Sequence, residues 1–127
     1  MNKKRVNNWL LKAKEAIVKA EIIGKNGKVD KAYRSQISNF GAAVVMGSLK
    51  SAVAFYVNKG DAKVDRSNLL VALYYVICDG EANEKITPKD MLKFVCENDS
   101  KALREMFTDA AIAIKLALNF FDLEESD

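Results

Sequence analysis

The stretch FGAAVVMGSLKSAVAFYV, residues 40–57, places apolar side chains on every side of a helix. A helix that is hydrophobic all round belongs inside a bundle rather than on its surface. Small residues crowd it, among them Gly41, Ala43, Gly47, Ser48, Ser51 and Ala52, and small side chains let neighbouring helices approach closely. Each glycine weakens a helix by about 1 kcal/mol relative to alanine, so a kink near Gly41 is expected. Asp30 is suited to cap the start of this helix. Tyr33, Ile37, Phe40 and Val44 form its early stripe. Asn58-Lys59-Gly60 ends it, with Gly60 fit for a left-handed terminal position.

Working outward, Val6, Leu10, Ala13, Ile17 and Ala20 recur at helical spacing and predict a helix over 2–23. Arg5, Lys12 and Lys19 lie seven apart and are read as its far face. Gly24-Lys25-Asn26-Gly27-Lys28 breaks the pattern. Downstream, Asp65 or Ser67 caps a shorter helix that runs to about Ile77 on Leu69, Leu70, Leu73 and Tyr74. Thr87-Pro88-Lys89-Asp90 is the clearest helix start, with a capping threonine, a proline at the first position and an acid at the positive end of the dipole. Asn98-Asp99-Ser100 stops that helix and caps the last, whose stripe is Leu103, Phe107, Ala110, Ile114, Ala117, Leu118 and Phe121. The pattern predicts an all-α, single-domain helical bundle of about five helices over residues 1–127, without a strand. The last residues, 124–127, are expected to fray.

A chain of 127 residues, half of it hydrophobic, is long enough for one substantial core. No signal sequence or membrane span is expected: Lys12, Lys14 and Glu15 interrupt the first apolar stretch, and Lys50 sits in the second. A cytoplasmic protein follows, with Cys78 and Cys96 as reduced thiols. Net charge is +3, unevenly placed. Through Arg34, ten bases oppose three acids, a balance of +7. From Cys78 onward, twelve acids oppose six bases, a balance of −6. Such asymmetry fits a polyanion partner for the basic end, head-to-tail contacts between copies, or simply a solvated face on each helix.

Histidine is absent, which excludes a Ser-His-Asp triad, a Cys-His pair and histidine metal ligands. No glycine-rich phosphate loop stands between a strand and a helix. Asp79, Glu81 and Glu84 lack the spacing of a calcium loop and read as solvated. Trp9, Tyr33, Tyr74 and Tyr75 fit core better than base stacking. No catalytic residue, metal site or cofactor is expected. The positive feature is the basic stripe of Lys3, Lys4, Arg5, Lys12 and Lys19, spanning about 20 Å at 1.5 Å rise per residue. Lys25, Lys28, Lys31 and Arg34 continue it. Such a surface can follow a phosphate backbone without reading sequence.

The run MGSLKSAVAFY, residues 46–56, resembles a segment of the small helical subunit of the Cmr complex, the type III-B CRISPR RNA-guided effector. That family carries roughly Asn-Gly-Leu-x-Gln-Ala-Leu-Ala-Phe after a tyrosine-rich stretch. Leu49, Ala52, Ala54 and Phe55 match, while Ser48 stands where glycine is usual and Ser51 where glutamine is. Tyr33-Arg34-Ser35 upstream fits, and Arg104, Asp109 and Phe120 follow the family's last helix, with Leu116 replacing a tryptophan. The departures at Ser51 and Leu116 keep a type III-A small subunit open as a placement.

The resemblance implies a noncatalytic structural subunit of an antiviral-defence ribonucleoprotein. It would stack beside the larger subunits that hold guide RNA and help line the groove for target RNA. The expected RNA contacts are phosphate contacts by Lys3, Lys4, Arg5, Lys12, Lys19 and Arg34, with Lys50, Lys59 and Arg66 as a second group. Expected partners are the other effector subunits, guide and target RNA, and neighbouring copies, with no membrane. The alternative reading is a helical adaptor or homo-oligomeric scaffold without nucleic acid.

Overall fold

The computed structural model of the chain describes residues 1–59, 64–78 and 86–125. Six α-helices lie among them: α1 (Lys3–Lys19), α2 (Ala32–Met46), α3 (Leu49–Tyr56), α4 (Ser67–Ile77), α5 (Pro88–Asn98) and α6 (Lys101–Ala117). A 3-10 turn, Leu118–Phe120, follows α6. The all-α bundle expected from the sequence is what forms.

Helix α6 is the centre of the bundle and packs on α1, α2 and α4. Its buried side chains include Leu103, Phe107, Ala110, Ala113, Ile114 and Ala117. Alternating large and small residues on this face lets several helices close on it; truncating Phe107 to alanine would cost about 3–5 kcal/mol. Helix α1 buries Val6, Ala13, Ala16 and Ile17. Two contacts show that α1 and α6 run in the same direction: Arg5 meets Asp109, and nine residues further along α1 Lys14 Nζ lies 4.9 Å from the ring centroid of Phe120, just past the end of α6. Parallel neighbours need a long connection, and the other four helices supply it.

The predicted caps form at Thr87 and Ser100, whereas Asp30 and Asp65 stand one residue before Lys31 and Arg66, the cap positions of α2 and α4, and bond two residues on. Thr87 and Asp90 make a reciprocal capping box with Pro88 in the first turn of α5. Ser100 Oγ accepts from Leu103 N at 3.0 Å, and Asp65 Oδ1 accepts from Ser67 N at 3.0 Å. Asp30 Oδ1 accepts from Ala32 N at 2.8 Å at the start of α2.

The long central helix does not form as one piece. Helix α2 runs unbroken through Gly41 and stops at Gly47 instead. Ser48 then caps α3, accepting from Ser51 N at 3.1 Å. A Cβ on Gly47 would lie 3.0 Å from the Ala43 carbonyl oxygen, whereas one on Gly41 would meet nothing within 4 Å. The break therefore falls where the backbone closes on itself, and a serine cap drives it. Nor is this stretch buried all round. Val45, Met46 and Phe55 are 72%, 87% and 62% exposed.

Helix α1 ends earlier than predicted, at Lys19, and Glu21 turns the chain with a φ of 60°. A small parallel ladder was also not foreseen. Val29–Asp30 (β1) pairs with Leu123–Glu124 (β2). Gly60, expected to end the central helix, lies outside the described residues.

Candidate nucleic-acid interface

Asn2 caps α1, its Oδ1 accepting from Arg5 N at 3.0 Å. Lys3, Lys4 and Arg5 follow in the first turn, which holds no acid. Cations there oppose the helix dipole by about 0.3–1 kcal/mol each. The compensating acid comes from α6. Asp109 is 2% exposed and accepts from Arg5 Nε at 2.9 Å and Nη2 at 2.7 Å. Both its oxygens also lie 3.4 Å from Asn2 N. The Arg5 guanidinium sits 5.6 Å from the Trp9 ring centroid. Arg5 is thus bound into the fold before it meets any ligand.

Arg5, Lys12 and Lys19 do not form the far face of α1. They lie about 100° round from the core direction at 100° per residue. Arg5 and Lys12 are partly buried along that border, and Lys19 is exposed. The outermost row is Lys4, Leu11 and Val18, all exposed.

A groove of ≈ 610 Å³ opens beside the Arg5–Asp109 pair, lined also by Met1, Val44, Val45, Lys101, Arg104 and Glu105. Lys101 and Arg104 were not among the expected RNA contacts, because their surroundings in the sequence are acidic overall. The available signal was their spacing directly after the Ser100 cap. Arg104 Nε donates to the Ser100 carbonyl at 3.3 Å and lies 3.9 Å from Asp99 Oδ1.

Arg34 lies in the first turn of α2 and Lys50 in that of α3; both are exposed, and neither turn holds an acid. Lys59 is exposed beyond α3. Arg66 joins its neighbourhood, donating from Nε to the Asn58 carbonyl and from Nη2 to the Phe55 carbonyl, both at 3.0 Å. Of the expected residues, only Arg5 lines the groove; Lys3, Lys4, Lys12 and Lys19 lie elsewhere along α1, Arg34 and Lys50 at the starts of α2 and α3, and Lys59 and Arg66 between α3 and α4.

Of the tail expected to fray, Glu124 and Glu125 fold back on the basic loop, while Ser126 and Asp127 lie outside the described residues. Val29 N donates to the Asp122 carbonyl at 2.9 Å and Lys31 N to that of Glu124 at 2.8 Å. Asn26 Nδ2 donates to Glu124 Oε1 at 2.9 Å, and Lys31 Nζ lies 3.8 Å from Glu125 Oε1. Part of the charge asymmetry read from the sequence is therefore satisfied within the chain.

Of the four aromatics weighed for stacking, Tyr33 is buried and Tyr74 packs edge-on against Phe94 with centroids 5.9 Å apart. Tyr75 donates to Glu15 Oε2 at 3.1 Å. Trp9 lies against Arg5, as above. Two rings not weighed for stacking are exposed with a cation over them: Phe55, with Arg66 Cζ 4.1 Å from its centroid, and Phe120, with Lys14 Nζ at 4.9 Å. Among the described residues no group of three or more His, Cys, Asp or Glu side chains is placed to hold a metal ion. Asp79, Glu81 and Glu84 lie outside those residues. Cys78 and Cys96 are free thiols. Among the described residues no helix is long and apolar enough to cross a membrane.

Fold and surface define a class: a small helical-bundle protein whose surface carries scattered cations and single exposed apolar side chains. Residues 8–115 match the family described as CRISPR-associated protein (Cas_Cmr5). The chain belongs to that family, one of CRISPR-associated Cmr subunits of type III-B. No curated protein and no solved structure is similar enough to count as a match.

Proposed function

We propose that this chain is a noncatalytic structural subunit of a type III-B CRISPR ribonucleoprotein and helps line its target-RNA groove through phosphate contacts. One observation carries the reading. Lys3, Lys4, Arg5, Arg34 and Lys50 all occupy first turns of helices, and none of those turns holds an acid. Such placement costs helix stability, a cost that Asp109 offsets for α1 and Asp30 for α2 from outside the first turn, and it gathers cationic side chains near the positive ends of helix dipoles. A local rule broken repeatedly in one direction points to function.

Titration of a labelled single-stranded RNA across a salt series tests it. Affinity should fall steeply with salt, with a slope of about −0.7 per phosphate engaged. The paired variants Lys3→Glu/Lys4→Glu and Arg34→Glu/Lys50→Glu should each flatten that slope. Arg5 is left intact because its substitution disturbs the fold. Absence of binding at low salt would sink the reading.

A second reading, a helical adaptor or scaffold of copies without RNA, draws on Val45, Met46, Leu116 and Phe120, which are large and exposed. Purification free of RNA, with self-association that weakens in salt, would favour it.

A further inference from the structure

We propose that the exposed ring of Phe55, backed by the Arg66 guanidinium, is a stacking platform for an unpaired base of single-stranded RNA. The proposal rests on the RNA-binding reading above and assigns one site within it. Phe55 lies in the last turn of α3 and keeps 62% of its surface exposed, unusual for the type. Arg66 covers one face of the ring, with Cζ 4.1 Å from the centroid. The exposure therefore belongs to the opposite face and the edges.

The platform is held from behind. Arg66 is fixed by its bonds to the Asn58 and Phe55 carbonyls, which are terminal carbonyls left open where α3 ends. Tyr56 lies beside Phe55 with centroids 5.9 Å apart, and it is anchored by its own hydroxyl donating to the Gln36 carbonyl at 2.7 Å. A ring held this way loses little freedom when something stacks on it.

Charge selects the ligand. Among the described residues, Arg66 spends two of its five guanidinium donors, on the Asn58 and Phe55 carbonyls. Lys59 follows Asn58 directly. Among the described residues the neighbouring acid is Asp65, whose Oδ1 accepts from the amide and hydroxyl of Ser67. A flat ring beside cations suits a polyanion with π faces, and every base offers such a face. A purely apolar protein partner would gain nothing from the cations.

The test compares full-length wild type with Phe55→Ala, Phe55→Leu and Phe55→Trp in low salt. The probes are a labelled oligouridylate and an abasic strand of the same length. Phe55→Ala and Phe55→Leu should weaken oligouridylate binding roughly five- to 150-fold, while Phe55→Trp retains it. The salt slope should not change, because it counts phosphates. The abasic strand should bind all four proteins alike. Wild-type affinity in Phe55→Leu would overturn the platform and leave the RNA-binding reading standing. Weakened self-association with unchanged RNA affinity would assign the ring to a protein contact and overturn it equally. Failure of the wild type to bind either strand would remove both.

Discussion

Arg5 and Asp109, from the first turn of α1 and the middle of α6, form a two-pronged ion pair whose carboxylate is 3% exposed and whose guanidinium is 28% exposed. The pair joins the N-terminus of one helix to the central helix, and it supplies α1 with the acid its own first turn lacks. Buried pairs of this kind are asymmetric. Removing one partner strands a charge, whereas replacing both with apolar groups restores balance.

Arg5→Ala should therefore destabilise the fold by about 2–4 kcal/mol, somewhat less than a fully buried pair because Arg5 remains partly wet. Asp109→Ala should cost less, since its stranded partner can reach solvent. The double replacement Arg5→Met/Asp109→Leu should recover most of the loss. Urea unfolding of the four proteins measures this. Equal costs for both single variants, with simple addition in the double, would refute a coupled pair.

The glycine inside α2 and the glycine that ends it make an opposed pair. Gly41 sits within α2 with open space where a Cβ would go, so Gly41→Ala should stabilise by about 0.5–1 kcal/mol. At Gly47 a Cβ would press on the Ala43 carbonyl oxygen at 3.0 Å, so Gly47→Ala should destabilise by about 1 kcal/mol or more. Thermal melts of both variants decide it. A stabilising Gly47→Ala would mean that the α2–α3 break is not enforced there.

Those glycines also mark where sequence reading reached its limit. Apolar periodicity located the helices, and cap chemistry located their starts at Thr87, Ser100 and Asp65, because both signals are local. The break at Gly47–Ser48 was hidden because an apolar run looks alike in one helix or two. Side-chain composition does not reveal that Ser48 can cap a fresh helix. The Arg5–Asp109 pair spans 104 positions, and nothing in either residue's neighbourhood names the other. The tail ladder is similarly non-local. Cationic residues were legible as a set, but their placement and the partnering of Arg5 and Arg66 required the fold.

Tyr33 and Tyr56 are buried, and burial first of all raises both hydroxyl pKa values above 10.0; for Tyr33 the hydrogen bond from Asn68, and for Tyr56 the Arg66 charge, work against it. A folded-state pKa above the unfolded one gives stability that is whole below about pH 10 and lost as pH rises through the folded value. Melting temperature should fall from about pH 10 upward, and tyrosinate absorbance from these rings should lag until unfolding. The variant Tyr33→Phe/Tyr56→Phe should lose about 1 kcal/mol per hydrogen bond at neutral pH yet decline less steeply in alkali. Parallel alkaline declines in both proteins would exclude these hydroxyls as the cause.

The acidic tail offers a test of how far the chain shields its own basic surface. Glu124 and Glu125 engage Asn26 and Lys31 at exposed positions, so Glu124→Gln/Glu125→Gln should change stability by no more than about 0.5 kcal/mol. The backbone pairing of β1 with β2 should persist, since it uses carbonyls and amides. Removing two negative charges beside Lys25, Lys28 and Lys31 raises the local positive potential. Affinity for single-stranded RNA should rise about two- to fivefold at low salt. The gain should vanish near 1 M salt, where the screening length is about 3 Å. Titrations at both salt levels separate the outcomes. An unchanged affinity at low salt would mean that RNA does not approach the basic loop, and it would confine the interface to the α1–α6 groove and the α3–α4 junction.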